Sequence, residues 1–118
     1  MVLKIFEKII QTYMEFLKEI NVRRNLLEQQ LYAANRNEQL LQLMRIQKSL
    51  VYFVTALRSN ELLLLKLERT NFLGLTDEEK EFLNDMIVDH SQALEMANIY
   101  TNILSSTLDA FASIIANN

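Results

Sequence analysis

The chain has 118 residues and a mass of 13.8 kDa, which is enough for one domain or for part of a larger one. It has no cysteine, no proline and one glycine, which excludes disulfides, cysteine-ligated metals, glycine-rich phosphate loops and the frequent tight turns of β-rich folds. A net charge of −3, with no dense basic run, argues against nucleic-acid binding. The composition therefore predicts an all-α protein made of long helices.

The first predicted helix runs from about residue 2 to residue 33. Charges at Lys4, Glu7 and Lys8 argue against a signal peptide, and no segment of the chain has the apolar length of a membrane span. Apolar residues recur at intervals of three, four and seven, which is the spacing of one helical face. They are Ile5, Ile9, Tyr13, Phe16, Ile20, Leu27 and Leu31.

A break at residues 35–37 precedes the second predicted helix, which runs from about residue 36 to residue 72. Asn35 is a suitable N-cap, because asparagine is favoured at helix starts. The short connection predicts an antiparallel helical hairpin over residues 1–73. The apolar positions of the second helix keep a spacing of three or four, apart from one skipped turn, and are Leu40, Leu43, Ile46, Leu50, Phe53, Leu57, Leu64 and Leu67.

The boundary before the third helix has the clearest local signals. Gly74 stands where the C′ residue of the second helix is expected, and Thr76 with Glu79 forms a capping box. No helix breaker follows, so a very long stalk helix is predicted over residues 76–118, roughly 60 Å in length. This length exceeds what a compact bundle needs, so the helix is expected to project from the hairpin and to need partners.

The second half of the predicted stalk helix is poor in charge. From Met96 to Asn118 its one acidic or basic residue is Asp109, among many alanines, serines and threonines. Small residues allow helix backbones to approach closely. Two interpretations remain open, namely a core helix of a monomeric bundle and self-association about a symmetry axis. Asp109 then either points to water or contributes to a ring of carboxylates around a hydrated axis.

The first half of the stalk helix carries a ladder of carboxylates. Glu81, Asp85 and Asp89 follow one another at intervals of four residues, which places them on one face. Hard cations such as Mg²⁺ take oxygen ligands and keep several waters, so a loose, partly water-mediated site is one interpretation. The other is a solvated acidic face near a helix amino terminus.

The remaining candidate residues point to packing. His90 is the single histidine, and its apolar neighbours along the helix favour a packed histidine over a metal ligand. The methionines at apolar positions are interpreted as core filler, namely Met14, Met44, Met86 and Met96. Three rod-like helices offer no catalytic triad and no evident pocket with paired acids, so the chain is not expected to be an enzyme.

Several segments resemble the CorA family of Mg²⁺ channels. Residues 46–53 and 56–60 resemble the second helix of that family's cytoplasmic hairpin, and residues 5–13 fit the first. Residues 83–90 are similar to the start of its stalk helix, and residues 103–118 to the stalk just before the membrane.

The resemblance implies a homopentameric, membrane-embedded parent whose stalk continues into the first transmembrane helix. It implies that Asp85 belongs to a regulatory divalent-cation site between subunits. Glu81 and Asp89 are further candidate ligands from their spacing on the same helix face. The resemblance also implies that Asp109 faces the central axis below the pore. Mg²⁺ or another divalent cation is then a weak regulatory ligand and the transported ion, and no cofactor is tightly bound.

The chain departs from the family pattern in what it lacks. The family's α/β domain, its membrane helices and its Gly-Met-Asn signature do not occur in the sequence. The resemblance therefore predicts a soluble, self-associating fragment that ends before the first transmembrane helix and lies at the cytoplasmic face of the membrane in its parent. The alternative is a stand-alone helical adaptor that binds partner helices through its charge-poor end.

Overall fold

The structure, a computed structural model, describes residues 2–31, 36–71 and 74–116. It contains three α-helices: α1 (Val2–Gln30), α2 (Arg36–Thr70) and α3 (Asp77–Ala116). No strand occurs among the described residues, so the predicted all-α class is confirmed. The predicted N-cap Asn35 lies outside these residues.

The three helices form one elongated bundle, 63 × 20 × 15 Å. α1 and α2 are joined side by side by a hydrogen bond from Arg23 to Gln42 and by an edge-to-face contact of Tyr13 with Phe53. α3 packs against both of them along its length, with buried side chains from Leu83 to Phe111. The expectation that α3 projects from the hairpin is therefore wrong, because the hairpin itself covers one face of α3.

The buried side chains repeat every seven residues in each helix. Seven residues make about two turns, so such a repeat draws one line along the helix. The line is continuous in all three helices and includes two polar residues, Arg24 and His90. Its members are Leu3, Ile10, Leu17, Arg24 and Leu31 in α1 and just beyond it, Leu43, Leu50, Leu57 and Leu64 in α2, and Leu83, His90, Ala97, Leu104 and Phe111 in α3.

The buried face of α1 differs from the predicted one. Ile5 and Phe16 were placed on that face by their spacing, yet they are 61% and 49% exposed, and Leu3, Ile10 and Leu17 are buried instead. The physical reason is that α1 has large apolar residues around most of its circumference, so spacing alone fits more than one face. Met44 is likewise exposed rather than core filler, whereas Met86 is buried.

The boundary between α2 and α3 uses an asparagine where a glycine was expected. Asn71 follows the last residue of α2 with φ 49°, and its N–H donates to the carbonyl oxygen of Leu67 over 3.2 Å. Asn71 therefore has the left-handed conformation of a C′ residue, a role that asparagine fills second only to glycine. Gly74, with φ 58°, lies three residues further on and donates its N–H to the carbonyl oxygen of Asn71.

The capping box that begins α3 is confirmed. The N–H of Thr76 donates to Oε1 of Glu79 over 3.0 Å, and the N–H of Glu79 donates to Oγ1 of Thr76 over 3.2 Å. The backbone N–H of Thr76, and secondarily its side chain, lower the pKa of Glu79 below its ordinary value of 4.5. The cap therefore contributes fully above that ordinary value and is lost as the pH falls through the lowered pKa.

Candidate functional site

The three acids of the carboxylate ladder lie on the solvent-exposed face of α3. Glu81, Asp85 and Asp89 are all exposed, and successive members are separated by about 6 Å along the helix axis. Among the described residues no group of three or more histidine, aspartate or glutamate side chains is placed to hold a metal ion. A single copy of the chain thus presents the acids as a line, and the assignment of Asp85 to a cation site stays a prediction.

Asp89 also borders a groove of about 340 Å³ between α1 and α3. Of the three ladder acids it alone lines this groove, together with Glu15 and Lys18 of α1. Two carboxylates and one ammonium leave one net negative charge, which gives weak attraction for a divalent cation. The groove therefore does not add a cation-binding cluster to the ladder.

Asp109 lies on the exposed side of α3, between the buried residues Leu104 and Phe111. In a single copy its carboxylate is open to solvent, and both alternatives for this residue stay predictions. Its exposed neighbours Ser106 and Ala110 are small. Small side chains would allow a helix of another copy to approach closely over this stretch. A ring of Asp109 carboxylates needs several copies, so it stays a prediction.

α3 has an apolar outer face as well as a buried one. Ala97 and Leu104 fill the bundle core, while Val88, Ile99 and Ile103 are 47%, 46% and 41% exposed. The helix is thus a core helix of the bundle, and it also keeps a row of large apolar side chains in water. We call the exposed side of α3, with this row and the carboxylate ladder, the α3 outer face.

The exposed side of α2 was not predicted as a surface of interest. It carries large apolar side chains together with basic ones, and we call it the α2 outer face. The apolar members are Leu41, Met44, Val51, Tyr52 and Leu62. The basic members are Arg45, Lys48, Arg58, Lys66 and Arg69. Its signal in the sequence is that these bases recur on the side opposite the seven-residue line of leucines.

A buried ion pair interrupts the apolar line of α1. Arg24 is 7% exposed and pairs through Nη1 with Oε2 of Glu28. Its Nη2 donates to Oδ1 of Asn21 over 2.9 Å. Arg24 Nε and Glu28 Oε1 are buried and have no hydrogen-bond partner. The sequence signal for this pair is the seven-residue spacing that places Arg24 between Leu17 and Leu31.

His90 is a packed histidine, as predicted. It is fully buried, and its Nδ1 lies 3.0 Å from the carbonyl oxygen of Met86, to which an Nδ1–H would donate. Nε2 is buried without a hydrogen-bond partner. His90 thus packs inside the bundle, on the buried line of α3.

None of the helices in the described part of the chain is both long enough and apolar enough to cross a membrane. The polar and apolar features described above therefore belong to a bundle without a spanning segment in these ranges. What the described part of the bundle offers chemically is an acidic face on α3 and a basic face on α2.

Comparison with known proteins gives the class to which this bundle belongs. Residues 1–118 match the family of CorA-like Mg²⁺ transporter proteins, and the chain belongs to that family. This is a family of transporters rather than of enzymes.

Among individual proteins, the chain is similar to the cobalt/magnesium transport protein CorA of Methanocaldococcus jannaschii. The two are 28% identical over 110 residues, which cover 93% of this chain and 35% of that protein. The chain thus spans about a third of the length of the curated relative it matches. No solved structure shows a significant match to it.

Proposed function

We propose that this chain is the hairpin-and-stalk region of a CorA-like divalent-cation transport protein. In that parent it contributes to subunit assembly and to gating that responds to the cation. The proposal is supported by the family match, which extends over the whole chain. It is also supported by the α3 outer face, which the other two helices leave exposed to solvent. α1 and α2 form the hairpin in this assignment, and α3 is the stalk.

Self-association is supported by the α3 outer face. Val88, Ile99 and Ile103 are large apolar residues that one copy leaves in water, and Ser106 and Ala110 extend the face with small side chains. Burying a large apolar side chain against another copy contributes up to about 1.5–3 kcal/mol. We propose a homo-oligomer, and by resemblance a homopentamer, embedded in the membrane through parts of the parent outside this chain.

The cation-sensitive part of the proposal centres on Asp85. Its carboxylate is exposed and is not part of the ion pair found among the described residues. We propose that Asp85 holds a hydrated divalent cation together with a carboxylate of a neighbouring subunit that lies outside this chain. Glu81 and Asp89, about one turn to either side, are further candidate ligands.

The gating mechanism is electrostatic. Carboxylates of neighbouring subunits repel one another, and a bound divalent cation offsets that repulsion. A fall in the concentration of the cation would leave the repulsion uncompensated and shift the assembly towards a state with its stalks further apart. Asp109 would face the axis of that assembly, and the transported ion would be Mg²⁺ or Co²⁺, as the name of the archaeal relative states.

The alternative function is that of a stand-alone adaptor. In that case a helix of another protein would bind to the exposed residues Ile99 and Ile103. The family match favours the transporter region, because it extends from residue 1 to residue 118 and includes the hairpin as well as α3. In the parent the region would lie at the cytoplasmic face of the membrane.

Sedimentation equilibrium of the 118-residue chain tests the proposed self-association. The expected result is a mass of several copies that rises with concentration, because the α3 outer face is buried between copies. A monomer at millimolar concentration would contradict it.

Calorimetry with Mg²⁺ is expected to show binding in the millimolar range only. A micromolar site that disappears in Asp85→Ala would show that no ligand from outside this chain is needed.

A further inference from the structure

We propose that the α2 outer face, over residues 41–58, binds an acidic amphipathic helix that comes from outside this chain. The partner helix would cover exposed apolar side chains of α2 and place its carboxylates beside the bases of α2. The proposed cation site and the proposed self-association both use α3. The surface on α2 therefore adds a binding partner to the proposed function and leaves the α3 outer face free.

A long stretch of α2 contains no acidic residue. Residues 39–60 have neither aspartate nor glutamate, although the whole chain has 15 acidic residues. The same stretch has three bases, Arg45, Lys48 and Arg58, so its local charge is +3 in a chain whose net charge is −3. No side chain of this stretch repels an acidic partner, and its bases attract one.

The three bases of this stretch are available to a partner. Arg45, Lys48 and Arg58 are all exposed. The ion pair found among the described residues joins Arg24 and Glu28 of α1. The positive charge of the stretch is therefore not neutralised by direct pairing with a described carboxylate of the same chain.

Large apolar side chains lie among these bases. They are between 52% and 64% exposed, and they are Leu41, Met44, Val51 and Tyr52. Single exposed apolar residues are normal, whereas a group of them along one side of a helix indicates a surface that a partner covers. Burial of these side chains would supply affinity, and the neighbouring bases would select the partner's charge and its alignment.

The spacing of the exposed residues favours a helix as the partner. Leu41, Met44, Lys48 and Val51 follow one another at intervals of three and four, and Thr55 and Arg58 continue the series. Such intervals are those of a seam between two packed helices. The series lies on the side of α2 away from the buried leucines and extends over about 26 Å, which corresponds to a partner helix of about five turns.

Nucleic acid and a membrane surface fit these residues less well. Three bases over about 26 Å are sparse beside duplex DNA, which carries one phosphate charge per roughly 1.7 Å. On helices that lie in a membrane surface, the bases occupy the polar side and the apolar residues the opposite side. Here both kinds of side chain share one side of α2, as at the contact between two helices.

A second copy of this chain does not supply the acidic helix. Two α2 outer faces brought together would set bases against bases and repel each other. The acidic face of α3 belongs to the cation site in the proposed function. The partner helix is therefore one with apolar residues along one side and glutamates or aspartates beside them, from outside residues 1–118.

A synthetic peptide of about 18 residues is a suitable probe for this surface. It carries leucines at intervals of three and four with glutamates beside them, and fluorescence anisotropy measures its binding to the 118-residue chain. One control peptide has the same composition in an order without an apolar side, and another has lysine in place of glutamate. Both are expected to bind at least about tenfold more weakly. Equal binding of the reordered peptide would overturn the inference.

Charge reversal on α2 locates the binding surface. Arg45→Glu with Lys48→Glu is expected to weaken binding of the acidic peptide by about tenfold or more. The matched control, Lys4→Glu with Lys8→Glu, changes the net charge as much, on exposed positions of α1. It is expected to bind nearly as the wild type does, and circular dichroism verifies that both variants keep their helices. Equal losses in the two variants would overturn the proposed location.

An apolar replacement tests the same surface without a change of charge. Leu41→Ser is expected to weaken binding of the acidic peptide about fivefold or more, because the leucine would be buried by the partner. Leu26→Ser is the control, since Leu26 of α1 is 52% exposed and Leu41 is 56% exposed. Unchanged binding in Leu41→Ser would overturn the inference.

Two further measurements separate other occupants of this surface from a partner helix. In sedimentation equilibrium, the variant with Arg45→Glu and Lys48→Glu is expected to associate like the wild type. Weaker association would show that the surface joins copies of the chain, which would overturn the inference and leave the proposed self-association intact. A monomeric wild type that binds the acidic peptide would instead contradict the proposed self-association alone. Binding to phosphatidylserine–phosphatidylcholine vesicles without binding to the peptide would identify a lipid surface and overturn the inference.

Discussion

Leu64→Ala is expected to lower the free energy of unfolding by about 3 kcal/mol, in the range of 2–5 kcal/mol found for fully buried leucines. Leu64 belongs to the seven-residue line of α2, is fully buried and shares a cluster with Leu3, Leu83 and Met86. Removing its side chain leaves a cavity between three helices that cannot collapse without moving one of them. Chemical denaturation followed by circular dichroism at one fixed chain concentration measures the change.

The matched control lies two residues away. Leu62 belongs to the same run of four leucines, residues 62–65, but is 67% exposed on the α2 outer face. Leu62→Ala is expected to change the free energy of unfolding by no more than about 0.5 kcal/mol at a concentration where the chain is monomeric. Equal losses for the two variants would contradict the assignment of Leu64 to the core.

Arg24→Leu is expected to cost about 3 kcal/mol of unfolding free energy, although it replaces a charge by an apolar side chain in the core. Its partner Glu28 has a side chain only 16% exposed, and one of its carboxylate oxygens is buried without a hydrogen bond. Without the guanidinium, that carboxylate is left buried and uncompensated. Denaturation at fixed concentration again gives the value.

The double variant Arg24→Leu/Glu28→Leu distinguishes this cause from a loss of packing. Removing both charges leaves an apolar line from Leu17 to Leu31, so its stability is expected to equal or exceed that of the wild type. Arg45→Leu, which makes the same replacement at an exposed position of α2, is the control and is expected to change stability little. A double variant as unstable as Arg24→Leu would contradict the role given to the uncompensated carboxylate.

The fold was predictable from the sequence to the extent that local signals decide it. The absence of breakers and the capping box of Thr76 and Glu79 predicted long helices and the start of α3, since both depend on residues close in the chain. The face of α1 was less predictable, because Ile5 and Phe16 fit a helical spacing as well as Leu3 and Leu17 do. Which of them becomes buried depends on α2 and α3.

The path of α3 was not predictable from its length. A helix of 40 residues is longer than a compact bundle of this size needs. The α1–α2 hairpin is nevertheless long enough to cover α3 up to Phe111. The acids Glu81, Asp85 and Asp89 were identified as a line on one face, and they are exposed as a line. A cation site between subunits also needs ligands from a neighbouring subunit. The sequence of one chain does not show which residues of a neighbour would lie near these acids.

A chimaeric transporter tests the proposed function most directly. In it, this chain replaces the matching segment of the Methanocaldococcus jannaschii protein, and Mg²⁺ uptake is measured with low and with high Mg²⁺ on the cytoplasmic side. The proposed function predicts Mg²⁺ uptake that high internal Mg²⁺ suppresses, and it predicts loss of that suppression in the same chimaera carrying Asp85→Ala. A chimaera that reaches the membrane and assembles like the unmodified protein, but takes up no Mg²⁺ under either condition, would contradict it.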